Sequence, residues 1–224
     1  MKFIMYVFIC LITLTSTAFS AQEVTILVDD GDWIPYSYKD KDGNDTGIYP
    51  EIVKKAISRM PDYTVKFQGM PWSRVKLQIK EGKSFAMLPP YFHAHDWLTD
   101  EEPERPYIWP YSLPLLVQTD IVVCNAGKLE SPRPNWPDDY RDLSFARQRG
   151  TGKEGVEFDK MVKEGKIKLV YARSNLHTVK LLLLGRADCT VISKKPYQWQ
   201  INEMKKNGEY ASLGEVVPLK EAMT

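Results

Sequence analysis

The chain has 224 residues, 43% of them hydrophobic, which excludes a disordered or collagen-like protein and allows one or two packed domains. Its 30 Lys and Arg nearly balance 29 Asp and Glu, so no global cationic field marks a nucleic-acid or anionic-membrane binder. Three cysteines are too few for a disulfide-stapled miniprotein, whereas 12% aromatic residues direct attention to stacking surfaces.

Met1-Lys2, the apolar run Phe3 to Leu14, and small residues ending in Ala18-Phe19-Ser20 have the layout of a secretory signal peptide. Cleavage is expected after Ser20. The run is short for a membrane helix, which needs ~20 apolar residues. An export signal with so few cysteines fits a bacterial periplasm. Cleavage would remove Lys2 and leave the chain formally neutral.

Glu23 to Val28 is a β-rich run, and Asp40 to Gly47 is turn chemistry. Apolar residues at 48, 52, 53, 56 and 57 predict a helix over Ile48 to Met60, with Pro50 tolerated in its first turn. Tyr63 to Phe67 alternates as a strand. Pro71 suits the start of a helix through Lys80, and Ser84 to Leu88 is a third strand. Leu115 to Cys124 reads as one long apolar strand connecting two halves.

The second half repeats the order. Leu143 to Arg147, Ile167 to Tyr171 and Asp188 to Ile192 read as strands. Helices are predicted over Lys153 to Glu164, from the N-cap Ser174 through Leu184, and over Pro196 to Lys206. Alternating strands and helices imply an α/β protein with parallel sheets covered on both faces, here in two lobes over 21–117 and 118–224. Ligands in such folds bind at the carboxyl ends of strands, which places Asp29 to Tyr38, Pro89 to Asp96, Gly150 to Gly155 and Ser193 to Pro196 around an interlobe cleft. Cys124 and Cys189 remain after cleavage; a bridge and a pair of buried thiols both fit.

Several segments, in order, resemble family 3 of the periplasmic solute-binding proteins, the amino-acid-binding components of ABC importers. They are Asp29-Asp30-Gly31-Asp32-Trp33-Ile34-Pro35-Tyr36, Asp42-Gly43 through Gly47-Ile48-Tyr49, Pro71-Trp72-Ser73-Arg74 with Gly82, Trp109-Pro110-Tyr111-Ser112-Leu113-Pro114, and Gly185-Arg186-Ala187-Asp188. The resemblance spans residues 22–215. It implies a type II periplasmic-binding-protein fold and a Venus-flytrap closure on a small solute, favoured because the ligand touches both lobes. It also implies an ABC permease or sensor kinase as partner, and a monomer. The family's further segment returning to the first lobe has no counterpart before Thr224, so a C-terminal truncation is expected.

By the same resemblance, the arginine that holds an amino-acid carboxylate falls on Trp97. The acidic residue for the ammonium falls on or next to Ser193. An ordinary α-amino acid is therefore not the expected ligand, since an unpaired buried charge is unfavourable. A flat or apolar group is expected instead. Asp30, Trp33, Tyr36, Trp72, Pro89, Pro90, Tyr91 and Trp97 would meet it from the first lobe, and Thr151, Ser193 and Lys194 from the second. Trp72 and Trp97 are equally readable as packing residues.

Other chemistry is less supported. Arg149 to Gly155 departs from a phosphate loop, with Arg147 in place of its first Gly and Glu154 in place of Ser/Thr. His93, His95 and Asp96 could share an extended face, but no ligand at helical spacing supports a metal, and no metal or cofactor is expected. Asp100 to Glu104 reads as a solvated acidic loop. The chain is expected to bind without catalysis. The alternatives are a cyclic-acid dehydratase on the same fold, with Glu154 or His95 as the acid, or a truncated copy that does not function.

Overall fold

A computed structural model describes residues 20–90, 98–214 and 216–223. Nearly all of the expected signal peptide lies outside these residues, as do Tyr91, His93, His95, Asp96 and Trp97. Among the described residues no helix is long and apolar enough to cross a membrane.

The first lobe is built on β1 (Gln22–Asp29), β4 (Tyr63–Met70) and β5 (Ala86–Leu88), with a short hairpin of β2 (Tyr38–Lys39) and β3 (Asp45–Thr46). Its sheet has the order β4-β1-β5 and is parallel throughout. Residue alternation decides its two faces. Leu27 and Met87 pack with Trp72, Val75 and Ile108, beneath α2 (Trp72–Lys80). Val28 and Leu88 point the other way, against Trp33, Tyr36 and Tyr49, the last on α1 (Ile48–Ile57).

The second lobe carries β6 (Asp120–Asn125), β7 (Ser144–Gln148), β8 (Lys168–Ala172), β9 (Cys189–Ser193) and β10 (Leu219–Met223) in the order β10-β6-β9-β7-β8. Its helices are α3 (Val156–Lys163), α4 (Asn175–Leu183), α5 (Lys194–Lys206) and the short α6 (Glu209–Ser212). Again adjacent residues serve opposite cores. Ile121 and Val123 pack with Val179, Leu182 and Met204, while Val122 and Cys124 pack with Phe145, Phe158 and Met161. Ser174 caps α4 as predicted, its hydroxyl accepting from His177 N at 3.3 Å.

The structure corrects three expectations. The second sheet is mixed, because β6 runs antiparallel to both β9 and β10. Periodicity reports burial, not strand direction, so the sequence pattern could not show this. The long strand from Leu115 shortens to begin at Asp120: Leu113 and Val117 are 86% and 93% exposed, and ladder partners exist only from Asp120 onward. β10 was not foreseen; its alternating charges, Lys220 and Glu221, hide an edge strand paired with β6. The two cysteines form a disulfide, because the β6–β9 register sets Cys124 opposite Cys189.

Candidate functional site between the lobes

The carboxyl ends of β1 and β7 face each other across the two lobes. Asp29, the last residue of β1, accepts a hydrogen bond from the side-chain amide of Gln148, the last residue of β7. The Asp29 carboxylate also accepts from Gly31 N at 3.3 Å. Burial pushes the Asp29 carboxyl up to about 6, against the lowering effect of these two donors.

Two further contacts close the lobes. A Cβ on Gly150 would lie 2.9 Å from the backbone of Ser73, in the first turn of α2. Gly150 has φ of +87°, so only glycine fits without strain. A Cβ on Gly31 would lie 3.3 Å from Ser174, the cap of α4. Strand ends and helix starts therefore meet as the α/β topology requires.

Deeper in, Asp120 opens β6 at the junction of the lobes. Its Oδ1 accepts from Ser193 Oγ at 2.6 Å, across the first rung of the β6–β9 ladder. Lys153 Nζ, from the loop after β7, lies 3.9 Å from the same oxygen. A pocket of about 370 Å³ is lined by Asp120 and Gln118 together with Tyr49, Leu88, Pro89 and Pro90. Burial, then the charge of Asp120, raises the Tyr36 phenol above its ordinary value.

The loop carrying Trp33 and Tyr36 is held by α1. The carbonyls of Pro35 and Tyr36 accept from the N–H groups of Ile48 and Tyr49 at 3.1 and 3.0 Å. Free N–H groups at a helix start need such acceptors. Gly47 makes the approach feasible: at φ +107°, a Cβ there would be 2.6 Å from the Tyr36 carbonyl.

Beneath the 149–155 loop, Arg147 binds Glu154 at 2.9 Å and Asp159 at 2.6 Å. The Arg147 and Glu154 side chains are 8% and 3% exposed. Burial raises the Glu154 carboxyl, with Arg147 pulling it back. Trp136 Nε1 donates to the Glu154 carbonyl at 3.2 Å, and the Arg147 guanidinium lies 5.2 Å from the Phe158 ring centre. This network fixes the loop from below.

The expected site residues divide. Tyr36, Pro89, Pro90 and Ser193 gather around Asp120 and its pocket. Thr151 sits beside Gln148, but its hydroxyl donates to the Gln148 carbonyl at 2.8 Å and so closes its own turn. Trp33 is buried against Tyr36 and Tyr49, with ring centres 5.1 and 6.0 Å away. Trp72 belongs to the first-lobe core. Asp30 is exposed, its N–H bonded to the Met70 carbonyl. Lys194 pairs with Glu221 of β10 at 3.1 Å. Asp29 and Lys153 fall within segments expected at the cleft without being singled out, whereas Gln148 and Asp120 were not foreseen. Asp29, Asp120 and Gln148 each stand at a strand end, and Lys153 follows Gly152 in the Gly-rich loop; those positions were the available signal.

No family model and no curated protein matches the chain. Solved structures do. A histidine kinase sensor domain with similarity to periplasmic binding proteins matches with TM-score 0.60 at 18% identity, over 91% of this chain and 79% of that one. The fold is that of the periplasmic binding proteins. An ancestral arginine-binding protein bound to glutamine matches with TM-score 0.61 at 15% identity, over 92% and 80% of the two chains. GshT, described for glutathione import via GshT and the cystine ABC importer TcyBC of Streptococcus mutans, matches with TM-score 0.62 at 19% identity, over 91% and 77%. These likenesses establish two α/β lobes of type II.

Proposed function

We propose that this chain is an exported, periplasmic solute-binding protein. It captures a small polar or aromatic solute between its lobes and presents it to an ABC importer or a membrane sensor, as a monomer and without catalysis. The observation that carries the reading is the meeting of the β1 and β7 carboxyl ends across the lobes, through Asp29–Gln148 and the close approach of Gly150 to Ser73, beside a pocket lined by Leu88, Pro89, Pro90 and Asp120. The structural neighbours include a glutathione-import protein and a kinase sensor domain, which is why both kinds of partner are retained.

The dehydratase reading needs an acid offered to substrate, Glu154 or His95, and His95 lies outside the described residues. Glu154 is 3% exposed and held by Arg147, which favours binding over turnover. The test is a thermal melt of residues 21–224 against amino acids, peptides, aromatic acids and small anions. A ligand at 100 times its Kd adds ~2.7 kcal/mol, a readily measured shift. A panel in which nothing raises the melt overturns the reading, and product formed from a cyclic acid overturns the absence of catalysis.

A further inference from the structure

The Asp29 carboxyl lies where the second lobe closes over the first. It accepts from the side-chain amide of Gln148, a residue of the other lobe that is 4% exposed. A Cβ on Gly31 would lie 3.7 Å from both Asp29 carboxylate oxygens and 3.3 Å from the Cβ of Ser174, so the start of α4 reaches the same spot. Parting the lobes withdraws Gln148 and Ser174 together and returns water to this carboxyl.

No cation offsets its burial. β4 and β5 bring no charge to it, since its register partner on β4 is Met70 and β5 ends at Leu88. Asp30, next in the chain, acts on it with the same sign. The other charged side chains of the surrounding segments are Asp32, Arg74, Arg149, Arg173 and His177, all of them exposed. Of these, the Arg149 guanidinium lies 5.0 Å from the Tyr171 ring centre. The donors Gln148 and Gly31 favour the charged form, and burial outweighs them.

We infer that Asp29 and Gln148 form a proton-controlled latch, in which closing the lobes takes up a proton at Asp29, so that acid favours the closed cleft and neutral pH releases it. The inference rests on the solute-binding reading above only for its consequence, a firmer hold on solute in acid. The sign follows from linkage: a proton bound more tightly by the closed form favours that form. The Asp29 carboxyl stands at about 6 with the lobes together, and water restored on opening moves it toward its ordinary 3.8. Closure is therefore favoured below about 6 and loses that advantage as pH rises through it. With full rehydration on opening, the closed-to-open ratio falls about tenfold between pH 5 and pH 7.5.

The test is small-angle scattering of the unaltered, solute-free protein across this pH range. Its radius of gyration should rise from pH 5 to pH 7.5. Asp29→Asn should keep the acid radius throughout, because the amide cannot ionise. Gln148→Glu sets a second carboxyl opposite the first and should enlarge the rise. The titration of the parent needs no variant, so a misfolded variant does not shield the inference. A radius that is constant or shrinks with rising pH, an equal rise in Asp29→Asn, or a Gln148→Glu chain that titrates like the parent overturns the latch. Those outcomes leave solute binding standing, which falls separately if no compound raises the melt.

Discussion

Asp29→Asn should stabilise this protein at neutral pH, although it removes a charge that accepts hydrogen bonds from both lobes. The Asp29 carboxyl stands at about 6 in the folded chain against an ordinary 3.8, with desolvation the largest cause. Its only charged influence among those acting on it is Asp30, of the same sign. Between pH ~4 and ~6 the folded chain therefore holds a proton that the unfolded chain has released, so stability falls as pH rises through that window. Above it the penalty is constant. About 2 pKa units correspond to an upper limit of about 3 kcal/mol, and the residual exposure of the side chain reduces this to roughly 1–3 kcal/mol. Asparagine keeps an acceptor for Gln148 and carries no charge. Urea unfolding of both proteins at pH 4, 6 and 7.5 tests this. The variant's advantage should be smallest at pH 4 and reach roughly 1–3 kcal/mol by pH 7.5, or a few degrees in Tm for a chain of this size. An advantage that does not change with pH, or one that grows toward pH 4, would refute the reasoning. Because Asp29 lies between the lobes, the same variant should also favour the closed form at neutral pH.

Further outcomes follow from other contacts. Gly150→Ala should hold the lobes apart, since its φ of +87° costs a side chain about 1–2 kcal/mol and its Cβ would meet the Ser73 backbone at 2.9 Å; small-angle scattering should give a larger radius of gyration than the parent. An unchanged radius would remove Gly150–Ser73 from the closing contacts. Replacing Cys124 and Cys189 together by Ala should lower unfolding free energy by about 4 kcal/mol, from a loop spanning 65 residues, with a loss under about 1 kcal/mol counting against the bridge. Arg147→Met should cost about 3–5 kcal/mol in denaturant, because Glu154 is left charged and buried, and the deficit should shrink as acid protonates Glu154.

Much of the architecture was legible because burial leaves a period in the sequence. Apolar spacing located α1 and α2, and serine and glycine punctuation located α4, with Gly185 at φ +64° terminating the segment that Ser174 opens. Strand-end placement named loops that the structure brings to the lobe junction at Asp29 and Gly150. It did not separate residues that face the cleft from those that serve the core. Trp72 and Thr151 are both at cleft-facing ends, yet one ring packs in the first-lobe core and one hydroxyl closes its own turn. Aromatic composition was a weak guide, because a ring suited to stacking on a ligand is equally suited to stacking on Tyr36 and Tyr49.

The sequence by itself determined the α/β alternation and the two-lobed fold, since these follow from local periodicity and turn chemistry. Tertiary structure decided the direction of β6, the Cys124–Cys189 bridge and the groups that meet at the junction of the lobes. Asp29 and Gln148 are 119 positions apart, and Asp120 and Ser193 are 73 apart. Pairing over such separations depends on strand register and lobe closure, which no local pattern records.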